Sequence, residues 1–225
     1  MRAPRSALLA LFIAFLLPLS GGSRQTLPVL QDDILSRSAR ISDAPVPPFS
    51  AFEGALLLSG VPGGEGFTQG CTDSPAQTVR PHGATLREVL DSITGDKSGY
   101  VWKMREGVVN LEPSTGFPAL LKTHLKTFQS HDLGDAGSAV TFLTSSPEVE
   151  RAAAENGLQH NVSGAALSGM TSEPTPPKKP LDIRLHNLML FEALNAIARA
   201  NKHGAWVYRE VHCGPIRQFD VTFVQ

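Results

Sequence analysis

The stretch TLREVLDSI, Thr85 to Ile93, has a counterpart in MLFEALNAI, Met189 to Ile197. At an offset of 104 residues, Leu86, Glu88, Leu90 and Ile93 fall on Leu190, Glu192, Leu194 and Ile197. The same offset takes Trp102 to Trp206, the two tryptophans of the chain, and takes Arg80 and His82 to Arg184 and His186. Within each stretch the apolar residues recur at i, i+3, i+4 and i+7, which gives a helix one oily stripe. Thr85 with Glu88 three residues on is a capping box, and that structural role accounts for Glu88 better than catalysis does. Met189 stands where the second capping hydroxyl would be, so Glu192 has only the positive end of the helix dipole to favour.

An aromatic strand follows each helix, YVWKM at Tyr100 to Met104 and AWVYREV at Ala205 to Val211. A short strand precedes each, in QTVRPHG and LDIRLHN. The predicted fold is therefore α/β (α+β), two tandem small sheet-plus-helix units of βαβ-type. The predicted core is Leu86, Leu90, Ile93 and Trp102 in the first unit, with Leu190, Leu194, Ile197 and Trp206 in the second. An aromatic at the same strand position after an amphipathic helix packs back onto that helix, which favours a core role over ligand stacking.

Around these anchors the chain divides into a signal peptide at 1–23, a linker at 24–48, a first unit at 49–116 and a second unit at 117–225 with a surface loop at 162–180. Arg2 and Arg5 precede an apolar run, Ala7 to Leu17, then Pro18 and small residues at Ser20 to Ser23. That order is a secretory leader, and the run is shorter than the ~20 residues of a membrane span. The alternative is a retained anchor. The expected localisation is periplasmic or secreted, with no membrane contact beyond the leader. The linker is polar and ends in the Pro-rich APVPP, though Ile34, Leu35 and Ile41 offer it apolar pins.

FSAFEGALLLSG, Phe49 to Gly60, puts Phe52, Ala55, Leu56 and Ser59 on one helical face, with Gly60 as its stop. Gly64 to Pro75 is glycine-rich and predicts loop or edge strand. Gln77 to Arg80 predicts a short strand. Tyr100 to Met104 and Val108 to Leu111 flank Gly107 as a hairpin. In the second unit, Leu125 to Leu133 is extended, and Asp135 to Ser145 is helical. Ser146 and Pro147 open a second helix that Gly157 stops. Phe219, Val221 and Phe223 alternate in a last strand, Ile216 to Val224.

A formal charge of −1, about −3 without Arg2 and Arg5, leaves no electrostatic footprint for nucleic acid. No GxSxG, HExxH, Walker or GxGxxG pattern occurs, so no catalytic or cofactor-binding residue is assigned and no cofactor is expected. His203, His212 and Cys213 are the one local His/Cys grouping, and their spacing fits no standard zinc pattern. The two cysteines, Cys71 and Cys213, are a candidate disulfide if the protein is exported; two unrelated thiols are the alternative, and sequence does not choose between them.

The stretches AFEGALLLSGVPGGEGFTQ, TVRPHGATLREVLDSI and YVWKMREGVVNLEP resemble the secretin and TonB short N-terminal domain. PLDIRLHNLMLFEALNAIARA and AWVYREV resemble it a second time. The resemblance covers most of 49–225 and rests on leucines, one glutamate and alternating strands. It implies a periplasmic α/β module that docks other proteins of the bacterial cell envelope, not an enzyme. No pore or receptor barrel sequence follows, so transport is not implied, and no functional residue of the family maps onto this chain. The expected function is a non-catalytic adaptor whose partner is an unknown envelope protein. Its contact surface is expected at a strand edge such as Ile216 to Val224 or at the 162–180 loop. The alternatives are a secreted enzyme with an unrecognised site, and a small-molecule or glycan binder in the groove between the units.

Overall fold

Glycine decides where the sheet has its centre. The computed structural model describes residues 32–42, 44–71, 78–95, 98–161 and 181–225. In order these form α1 (Pro48–Ser59), β1 (Gly63–Gly70), α2 (Leu86–Ile93), β2 (Tyr100–Arg105), β3 (Val108–Pro113) and a 3-10 turn (Leu120–Lys122). There follow β4 (His124–Leu133), α3 (Ala136–Thr144), α4 (Pro147–Glu155), β5 (Gln159–His160), β6 (Leu181–Met189), α5 (Leu190–Asn201), β7 (Ala205–Cys213) and β8 (Ile216–Val224). The fold is α/β, as the alternation of periods predicts. The leader at 1–23 and the loop at 162–180 lie outside the described residues. No helix among the described residues is long and apolar enough to cross a membrane.

One sheet runs through both halves, in the order β2-β3-β1-β7-β8-β5, beside a two-stranded sheet of β4 and β6. β1 is central, parallel to β3 on one side and to β7 on the other. The sequence GGEGFTQG predicts loop or edge, and this is corrected. Its glycines mark close approach rather than a turn. A Cβ on Gly64 would fall inside the Trp206 indole, and one on Gly63 would strike Leu56. The strand expected at 77–80 shrinks to a single bridge between Val46 and Val79.

The two halves repeat one set of contacts. Leu86 N–H donates to the Arg37 carbonyl at 2.8 Å, and Leu190 N–H to that of Thr123 at 2.9 Å. Ser38 bridges Thr85 as His124 pairs with Met189. Glu88 accepts from the Ala84 and Thr85 amides at 2.8 and 3.0 Å, and Glu192 accepts from the Met189 amide at 2.8 Å. α1 and α4 end alike, on Gly60 and Gly157 at φ +63° and +66°, a backbone that glycine adopts freely. The next amide then bonds five residues back in the same way, Val61 to Leu56 at 3.2 Å and Leu158 to Ala153 at 2.8 Å. Residues 32–42 therefore belong to the first unit rather than to a free linker: Leu35 and Ala39 are buried among Phe52, Leu86 and Leu90.

Each unit contributes three strands in the same order: hairpin strand, hairpin strand, then the strand that follows α1 or α4. These are β2-β3-β1 and β7-β8-β5. Their directions are opposite, since β7 runs parallel to β1 whereas β2 runs antiparallel to β3, which is itself parallel to β1. A half-turn about an axis across the strands relates the units, and it also exchanges the faces. Leu86, Leu90 and Ile93 accordingly pack with Val109, Leu111 and Ala205 on one face. Leu190, Leu194 and Ile197 pack with Val108, Trp206 and Tyr208 on the other. Adjacent residues of one strand face opposite ways, so Val108 and Val109 divide between the two cores.

Candidate functional site

The structure separates the core residues from the residues that have work left to do. All six predicted helix positions are fully buried, as is Trp206. Trp102 is only half-buried. The reason is position: β7 has a strand on each side, while β2 ends the sheet and leaves Trp102 at the rim. Each indole N–H still donates to the helix above it, at 2.8 Å, to Asp91 in the first unit and to Asn195 in the second. Asp91 and Asn195 are themselves 104 residues apart, a match in the sequence that the apolar pattern overshadowed.

The first candidate surface is the outer side of β2. Glu106 and Gly107 make a two-residue turn, so Arg105 and Val108 exchange hydrogen bonds across the hairpin. Alternation then turns the backbone groups of Trp102 and Met104 away from β3. Among the described residues no strand pairs with that side. β7, the corresponding strand of the second unit, is covered there by all eight residues of β1, from Gly63 opposite Ala205 to Gly70 opposite His212. Lys103 and Arg105 both pair with the buried Glu112, Arg105 at 2.8 Å, which fixes the inner face of the edge. The edge expected at Ile216 to Val224 is different. β8 lies between β7 and β5, and β5 covers it at Gln218 and Phe219. Arg217 is not a bystander there, since it reaches His212 at 3.3 Å.

The second candidate is the far end of the β1–β7 seam. Glu210 is buried and takes the Tyr208 hydroxyl at 2.6 Å and the His212 ring at 2.5 Å, with Arg217 at 3.9 Å. Burial, then the Glu210 hydrogen bond, pushes the Tyr208 hydroxyl far above its ordinary range. Cys71 and Cys213 each follow the last rung of the seam, Gly70 opposite His212, by one residue. Both are free thiols, Cys71 exposed and Cys213 half-buried. A hydrogen bond with Cys71 raises the Cys213 thiol. His203 lies at the start of β7, about 30 Å of extended strand from His212. The three-residue His/Cys grouping of the sequence therefore does not assemble. Among the described residues no group of three His, Cys, Asp or Glu is placed to hold a metal ion.

A third feature has no counterpart in the sequence reading. Glu65, the third residue of the central strand β1, is 1% exposed, and neither carboxylate oxygen has a hydrogen-bond partner among the described residues. Glu53 of α1 faces it without the alignment of a standard hydrogen bond. Burial, reinforced by Glu53, holds the Glu65 carboxyl well above the usual range, so it is the neutral acid that fits here. Burial raises Glu53 as well. No family model matches the chain, and no curated protein and no solved structure matches it either.

Proposed function

We propose that the chain is a non-catalytic docking module of the bacterial cell envelope, exported to the periplasm, akin to the secretin and TonB short N-terminal domain. Its docking edge is β2. The observation that carries this reading is the unequal fate of two equivalent strands. In the second unit the outer edge of β7 receives a full strand, β1, in parallel. In the first unit the outer edge of β2 receives none among the described residues. A partner segment laid along Trp102 and Met104 would gain main-chain hydrogen bonds of the same kind, and its alternate side chains would set specificity.

The test is capture from envelope extract by the leaderless protein, compared with Met104→Pro. Proline removes an outward amide that β3 does not use, at an edge where proline is tolerated. The expected result is loss of the captured partner with circular dichroism unchanged. Equal capture by the variant overturns the assignment to β2. A hydrolytic activity abolished by His212→Ala would favour the enzyme reading, because the Glu210 cluster is where such a reading would begin.

A further inference from the structure

We propose that Cys71 and Cys213 form a dithiol–disulfide couple that staples the two units together. In this couple Cys71 meets the oxidant and Cys213 closes the bond. The inference is independent of the docking edge, which lies at the other side of β3.

The placement follows from the seam. Eight consecutive rungs hold β1 and β7 in one register, ending at Gly70 opposite His212, and continuing that register by one step sets Cys71 opposite Cys213. Paired residues on neighbouring strands lie ~5 Å apart and direct their side chains to one face. That separation is within the Cα range a disulfide spans, so closure asks for no displacement of the strands. Cys71 stands just past the end of β1, where the backbone is free of ladder bonds and adjusts the torsions a bridge requires. Cys213 is held within β7 by Ile216 across the hairpin. Proximity of Cys71 raises the Cys213 thiol, in keeping with the placement that the seam gives the pair.

The same geometry orders the steps. Cys71 is exposed and Cys213 is half-buried, so an external disulfide reaches Cys71 first. The Cys71 thiolate attacks one sulfur of the oxidant, a low-molecular-weight or protein disulfide. That S–S bond breaks, one half leaves as a thiolate and takes a proton, and a mixed disulfide remains on Cys71. The Cys213 thiol then loses its proton to water and attacks the Cys71 sulfur, expelling the second half as a thiolate. Two protein thiols are oxidised to one disulfide, and one external disulfide is reduced to two thiols. Raising of the Cys213 thiol by its bond to Cys71 agrees with a resolving rather than an attacking role.

Reduced, folded protein is incubated with oxidised glutathione and followed by intact mass under non-reducing conditions. Wild type is expected to lose two hydrogens, with both thiols gone and no adduct retained. Cys213→Ser is expected to accumulate one glutathione on Cys71, and Cys71→Ser to acquire it at least about tenfold more slowly, because the remaining thiol is half-buried. The melting temperature should rise on oxidation in wild type and in neither variant. Two thiols still titratable in oxidised wild type would overturn the couple. A stable adduct on wild type, or covalent dimers in place of the internal bond, would overturn it equally. Equal adduct rates in the two variants would overturn the order of attack.

Discussion

Trp206 donates its indole N–H to Asn195 Oδ1 at 2.8 Å inside a fully buried core, and the bond spans 11 residues of chain from helix to strand. Trp102 and Asp91 repeat it at the sheet's rim. The two sites share their chemistry and differ in solvent. Asn195→Leu leaves the indole donor buried without an acceptor, which costs ~1–3 kcal/mol. Asp91→Leu lets water replace the lost acceptor and should cost less than about 1 kcal/mol. Urea unfolding of both variants checks the ratio, and equal losses would contradict the rim position of Trp102.

Leu90 and Leu194 occupy matching positions on α2 and α5, each without solvent exposure. Leu90→Ala and Leu194→Ala should each destabilise by ~2–5 kcal/mol, as truncated buried leucines do. Leu58→Ala, at an exposed position of α1, should fall within about 0.5 kcal/mol of wild type. A loss at one leucine alone would mean that the two cores do not carry comparable weight.

Glu65 is protonated in the fold and ionises near the ordinary carboxylate range once unfolded. The folded state therefore binds more protons than the unfolded state, and stability falls as pH rises from about 4.5 toward the raised folded value. Glu65→Gln keeps the shape and removes that slope. Its melting temperature should exceed that of wild type at pH 8 and approach it near pH 4. Glu88 and His160 act with the opposite sign. Both are lowered in the fold, Glu88 by backbone amides and His160 by burial, so their contributions are lost as pH falls. Glu53 is raised by burial and shares the sign of Glu65, so the difference between Glu65→Gln and wild type reports Glu65 together with its coupling to Glu53. A constant difference across pH would refute the assignment.

Hydrogen exchange distinguishes the two hairpins. The amides of Trp102 and Met104 point away from β3, where no strand among the described residues pairs with them, and those of β7 are enclosed between β1 and β8. Exchange at Trp102 and Met104 should be faster than at Val207 and Tyr208 by on the order of 100-fold or more. Protection acquired at Trp102 and Met104 on adding the captured partner would locate its strand.

Much of the fold was legible because helices announce themselves twice, by period and by cap. Leu86, Leu90 and Ile93 needed no neighbour to be read as a buried stripe, and Gly60 and Gly157 marked both stops. The centre of the sheet was not legible. GGEGFTQG has the composition of a loop, since the atoms that fill its interior side belong to Leu56, Trp206 and Phe117, up to about 140 residues away in sequence. The linker was legible only in part: Ile34, Leu35 and Ile41 mark it as an arm that docks, but the burial of Leu35 and Ala39 depends on the surface that α1 and α2 present. The nearness of Cys71 and Cys213 follows from the register of the seam, which no local pattern encodes.

That register also sets a timetable. Gly63 is paired with Ala205, so during synthesis β1 exists for 142 further residues before its partner on that side is made. At ~5–20 residues per second the wait is on the order of 10 s. For that interval the middle strand of the finished sheet is a border, with unsatisfied backbone groups that invite the wrong neighbour. Its composition suits a border. Three of its first four residues are glycine and the other is Glu65, an inward-pointing acid that is charged whenever the strand is wet. A foreign strand docking there would have to bury that charge, whereas β7 completes the native sheet in which Glu65 is buried facing Glu53 of α1 and is neutral. The carboxyl that burdens the native interior thus guards the nascent chain against premature pairing.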